Sequence, residues 1–175
     1  DVNAAVEGSV PLAVAAGSRR ADLVALLLES SAELSISHAD ADDGATSLFM
    51  AAHTGCHETV RLLLAASASA ASVIDAPRRD FETPLTAAFR HGHWRIAKTL
   101  LEARATPEPI KPSAPSLLVA SISGGAPARA LLQPLLDAGA HPDRITAGAL
   151  GRTSLCVAAA AADVMSVRLL LGASA

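Results

Sequence analysis

The chain has 175 residues, enough for a sizeable core, and 51 % of them are hydrophobic while only 2 % are aromatic. Ala, Leu and Val supply most of the apolar content, which suits thin, closely packed helices and argues against a β-sandwich. A net charge of −3 excludes a general electrostatic drive toward nucleic acid or anionic membrane, and no apolar run reaches the roughly 18 residues of a membrane span.

Taken from the amino terminus, the chain repeats itself. Five segments open on a small or polar residue followed by leucine: Pro11-Leu12, Ser47-Leu48, Pro84-Leu85, Ser116-Leu117 and Ser154-Leu155. An Ala-rich stretch follows each, and then a leucine cluster. Leu12 and Leu27, Leu48 and Leu63, Leu85 and Leu100, and Leu155 and Leu170 are each 15 residues apart. The fourth unit needs 18, from Leu117 to Leu135, and so carries an insertion. Each unit predicts two short helices. In the second unit Leu48, Ala51 and Ala52 share one helical face, Gly55 breaks the pattern, and Thr59, Val60, Leu62, Leu63 and Leu64 resume it. Helices this short are not stable alone, so each must bury its apolar stripe on a neighbouring unit. Ser, Asp, Ala and Pro between units predict loops or hairpins.

These units resemble ankyrin repeats. Thr83-Pro84-Leu85, Ala88, Gly92-His93 and Leu100-Leu101 carry the resemblance most clearly, with Asp43-Gly44-Ala45-Thr46-Ser47-Leu48 and Asp137-Ala138-Gly139-Ala140 in support. The resemblance implies an all-α solenoid of stacked helix-turn-helix units with hairpin-like loops. It takes residues 1–175 as a single ankyrin-repeat domain, with repeats at about 7–34, 43–70, 80–105, 112–143 and 150–175. Asp1-Val2-Asn3 looks like the tail of a preceding repeat, so further repeats or domains are expected to flank the segment.

Departures from the family pattern carry expectations of their own. Ala13, Phe49, Thr86, Leu118 and Cys156 replace the histidine that follows the Thr-Pro-Leu leucine, so its bond to the threonine is expected to be missing throughout. Cys156, among apolar neighbours, is expected to be buried. Arg19 and Ala162 stand where the helix–helix turn usually has glycine. Pro134 is expected to kink the second helix of the fourth unit by removing a bond to the Ala130 carbonyl.

No catalytic constellation emerges. His53, Cys56 and His57 straddle a helix–helix turn with no second cluster to complete a tetrahedral metal set. The acidic loop His38, Asp40, Asp42 and Asp43 lacks the spacing of a calcium loop. No phosphate-cradling glycine loop or nucleophile elbow is present. No enzyme activity, cofactor or metal is therefore expected.

The family resemblance places Arg78, Arg79, Phe81 and Glu82 at a projecting hairpin, with Phe81 where glycine usually stands. Arg90, His91 and His53 then fall on the concave side, and Trp94, which opens the second helix of that unit, is expected to pack rather than to bind. These residues are expected to bind a protein or peptide partner, favouring an acidic segment. The resemblance implies an interaction scaffold. A substrate-recruiting or regulatory domain of a larger enzyme, such as a ubiquitin ligase subunit or kinase, and a structural part of a cytoskeletal assembly are the alternatives. Two cysteines are too few for a disulfide framework, so a reducing compartment, cytoplasmic or nuclear, is the expected location.

Overall fold

A computed structural model describes residues 10–30, 36–40, 43–67, 73–110, 116–144 and 152–173. The chain forms two compact units, residues 1–105 and 106–175.

The first unit holds three helix pairs: α1 (Pro11–Gly17) with α2 (Ala21–Glu29), α3 (Ser47–Thr54) with α4 (His57–Ala66), and α5 (Pro84–Arg90) with α6 (Trp94–Glu102). The first helices stack as one row, α1 on α3 and α3 on α5, and the second helices as another, α2 on α4 and α4 on α6. The sequence explains both rows. Leu12, Leu48 and Leu85 are buried at equivalent places, and Ala16, Ala52 and Ala88 beside them are small enough for the backbones to close up. Val24, Val60, Leu63, Ile96 and Leu100 fill the space between the rows. Leu63 is 1 % exposed, as its place in the leucine pattern requires.

The turns repeat as strictly as the leucines. Arg19, Gly55 and Gly92 all take a left-handed φ, at 58°, 82° and 72°. After each, the next N–H reaches back five residues: Arg20 to Ala15, Cys56 to Ala51, and His93 to Ala88. This is the Schellman closure of a helix end, which satisfies an otherwise orphaned carbonyl. Gly55 is required twice over, because a Cβ there would also stand 2.5 Å from the His93 ring.

The second unit holds α7 (Leu117–Ser123), α8 (Gly125–Arg129), α9 (Leu132–Asp137), α10 (Ser154–Ala160) and α11 (Val164–Ala173). Here α10 packs on α7 and α11 on α9. Ala162, at φ 52°, takes the turn position of Gly55, and Asp163 N–H closes onto the Ala158 carbonyl. The inserted residues of the fourth repeat form α8, so its second helix is split, with the break at Ala130–Leu131. Pro134 lies just beyond that break and has no N–H to offer the Ala130 carbonyl. The Arg129 guanidinium reaches the Asp163 carboxylate at 2.7 Å.

Two expectations are corrected. Cys156 is exposed, not buried. Its counterpart Phe49 is covered by Ala87 of the following helix pair and by Arg78 of the hairpin before it, and the described residues place no such cover over Cys156. The threonine tie at the helix start is also not missing throughout. Thr86 restores it in the third repeat: Thr83 N–H donates to Thr86 Oγ1 at 2.8 Å, and Thr86 N–H donates to Thr83 Oγ1 at 3.2 Å. Threonine is short, but at the third helical residue its hydroxyl sits beside the cap, which is all that a capping box needs.

Candidate functional site

The site grows from two neighbouring hairpins in the first unit. Each is built on the same local code, Asp-x-x-Thr, read at Asp43–Thr46 and Asp80–Thr83. The aspartate carboxylate accepts from the N–H two residues on: Ala45 N–H to Asp43 at 2.8 Å, Glu82 N–H to Asp80 at 3.1 Å. These are Asx turns, which leave the intervening residue left-handed. That residue is Gly44 at φ 77° in one hairpin and Phe81 at φ 67° in the other. The threonine then caps the following helix, Thr46 accepting from Phe49 N–H and Thr83 from Thr86 N–H.

The hairpins are joined side by side. Arg79 N–H donates to the Asp43 carbonyl at 3.0 Å, and the Arg78 guanidinium meets the Asp43 carboxylate at 2.9 Å. Arg78 also lies over the Phe49 ring, 5.2 Å from its centroid. It is therefore mainly a clasp between loops. Phe81 is different: the residue is 55 % exposed at the hairpin tip.

At the other end of the inner helices stand the remaining expected residues. Arg90, at the close of α5, is largely exposed and is steadied by Glu82, whose carboxylate lies 3.3 Å from its Nε. His91 is exposed and meets the half-buried His53 ring edge-on, with centroids 4.3 Å apart. His53 in turn stacks on Phe49 at 6.0 Å. Trp94 packs, as expected, and does so edge-on against Phe89 of the same repeat at 5.7 Å.

The structure thus brings the seven expected residues into two linked groups. Arg78, Arg79, Phe81 and Glu82 share one hairpin, and Arg90, His91 and His53 cluster beside the helix ends, with the Glu82–Arg90 pair connecting the two. Sequence reasoning missed Asp43 and His93. The repeated Asp-x-x-Thr spacing could have exposed Asp43. His93, which donates from Nε2 to the His53 carbonyl at 3.2 Å, fixes the position of that cluster. His57 bonds Thr99 at 3.0 Å and Cys56 accepts from the Thr59 hydroxyl, so neither turns toward His53 as a shared ligand set. Among the described residues no group of His, Cys, Asp and Glu is arranged to hold a metal ion. No helix among them is long and apolar enough to cross a membrane.

Paired helices in two stacked rows, closed by left-handed turns and joined by capped hairpins, define a repeat protein of the helical solenoid class. The family model for ankyrin repeats, in three copies, matches residues 12–110, more than half of the chain, and the chain belongs to that family. It is similar to an ankyrin repeat domain from Acinetobacter baumannii AYE, solved by crystallography. The two are 25 % identical with a TM-score of 0.79, over 99 % of this chain and 86 % of that one. No curated protein was found to match the chain. Ankyrin repeats generally serve protein–protein interaction and are typically without catalysis, which is the coarse function that this membership brings.

Proposed function

We propose that the strip from the Phe81 hairpin to the Arg90–His91 turn binds a partner protein or peptide, and that the chain works as a non-catalytic scaffold. One observation carries this reading. Phe81 holds a left-handed backbone that its neighbour reserves for glycine, yet the residue is 55 % exposed and so gains little from the fold in return. A bulky residue in that conformation costs on the order of 1–2 kcal/mol, and uncompensated strain of this kind clusters where function needs it. An aromatic anchor on a projecting tip, rimmed by arginine, is the composition of a binding hot spot. The same reading keeps the chain in a reducing compartment, cytoplasmic or nuclear, where the free thiols of Cys56 and Cys156 stay reduced.

The test is a partner isolated from cell extract with the wild-type chain, followed by its affinity for Phe81→Gly and for Arg90→Ala. Both should bind more weakly while remaining folded. Equal affinity for all three chains would remove the strip from the interface.

A further inference from the structure

In a stack of repeats, each helix pair turns one side to the pair before it and the other to the pair after it. Positions in register therefore tend to be covered alike. Counted from the first leucine of each repeat, two sets of positions depart from this.

The first set faces the preceding pair. Eleven residues after the leucine stand Leu23, Thr59, Ile96 and Ser166. The last three are buried, on second helices that each pack on the second helix before them. Leu23, on α2, is 40 % exposed. Two residues after the leucine, Ala87 is buried beside Phe49 of the preceding pair, and Met50 lies against Gly17 of α1. Their counterpart Val14 is exposed, as is Leu26. The second set faces the following pair. One residue after the leucine, Ala13 and Phe49 are buried and Cys156 is exposed. Four after it, Ala16, Ala52 and Phe89 are buried and Ala159 is exposed. Sixteen after it, Leu101 is buried and Leu171 is 55 % exposed.

The first described pair thus lacks a cover before it and the last lacks one after it. Solenoids ordinarily finish on polar faces, yet none of Val14, Leu23, Leu26, Cys156, Ala159 and Leu171 is charged or strongly polar. Side-chain size favours fitting one face to the other. Phe49 on Ala87 sets a large side chain on a small one. One junction earlier the order is reversed, with Ala13 in register before Met50. Cys156 before Val14 is again small before large, so the pair fills a junction without a clash.

We propose that the chain associates head to tail with a second copy of itself, α10 and α11 of one copy seated on α1 and α2 of the next. The contact continues the helix rows of the fold, and burial of exposed aliphatic surface drives it. Because the two faces differ, every junction leaves one face of each kind open, so association proceeds beyond two chains. Neither face includes a residue of the Phe81–Arg90 strip, and this inference stands apart from that reading.

Sedimentation equilibrium of the whole chain, with a reductant present, is the test. The wild-type average mass should rise with concentration past that of two chains. Leu23→Glu and Leu171→Glu each place an unpaired carboxylate in the junction and should weaken association about 100-fold or more. Both positions are exposed, so circular dichroism should show both variants folded. Leu23→Glu keeps its α10–α11 face and Leu171→Glu its α1–α2 face. An equimolar mixture should therefore recover the wild-type affinity for one junction and stop at two chains. Met165→Glu is the control: Met165 is exposed on α11 but stands in register with Asp22, Glu58 and Arg95, and its variant should associate as the wild type does. A wild-type chain that stays monomeric up to about 1 mM overturns the proposal and leaves the two faces to other helix pairs. So does a mixture that associates no better than either variant alone, or a Met165→Glu chain weakened as much as the other two.

Discussion

Arg78 and Asp43, 35 positions apart in the chain, are joined twice: guanidinium to carboxylate at 2.9 Å, and through the adjacent Arg79 N–H to the Asp43 carbonyl at 3.0 Å. One hairpin is thereby registered against the next, with the Arg78 guanidinium laid over the Phe49 ring. The Arg78 Nε is buried without a hydrogen-bond partner, a cost that trims the gain. Arg78→Ala should destabilise the chain by about 1–2 kcal/mol, summing a partly exposed ion pair and a cation–π contact. Urea unfolding measures it. An unchanged midpoint would mean that the clasp contributes nothing to stability.

Glycine is absent from two turn positions that demand it. Arg19 and Ala162 hold φ 58° and 52°, in the register of Gly55. Arg19→Gly and Ala162→Gly should each stabilise the chain by about 1 kcal/mol, the left-handed penalty less the entropy that glycine adds to the unfolded state. A higher urea midpoint checks each one. Because Arg19 lies outside the proposed strip, its glycine variant should bind the partner as the wild type does.

Ser47 stands at the first position of α3, fully buried, with a hydroxyl that has no hydrogen-bond partner. Proline occupies the same place in α1 and α5. Thr46 before it is already extended, at ψ 164°, as a residue preceding proline must be. Ser47→Pro should therefore raise stability by about 1 kcal/mol, through a stiffer unfolded chain and the loss of an orphaned hydroxyl. A lower melting temperature would show that the ring does not fit.

Asp163 caps α11, accepting from both the N–H and the hydroxyl of Ser166. These bonds, aided by Arg129, hold its carboxyl below the usual carboxylate range. A depressed folded pKa means that stability is present above the unfolded value, about 4, and is lost as pH falls through the folded one. Asp163→Asn should accordingly flatten the acid limb of the stability profile below about pH 4, measured by melting across pH.

The repeat architecture was legible because it lies in local periodicity. Leucine spacing located every helix pair, and the turn positions of Arg19 and Ala162 could be read by alignment with Gly55 and Gly92. Phe81 was recognisable as a residue in a glycine position, but whether its ring would fold down or stand out depends on tertiary neighbours. Cys156 was misread for the same reason, since an apolar local sequence does not reveal which helix lies over it. The Thr83–Thr86 tie was missed because it needs geometry, not residue identity: a hydroxyl does there what the family's histidine does. Arg78 looked like a binding residue and is largely a clasp, because ion pairs between hairpins join positions with no periodic relation.

The central claim is that the Phe81 tip bears the partner, and the most direct measurement takes the melting temperature and partner affinity of Phe81→Gly side by side. Lys98→Ala, an exposed change on α6, is the control. The expected result is a higher melting temperature with affinity weakened about 30-fold or more, the equivalent of about 2 kcal/mol, while the control leaves both nearly unchanged. A Phe81→Gly chain that melts higher and binds as tightly as the wild type would contradict the account.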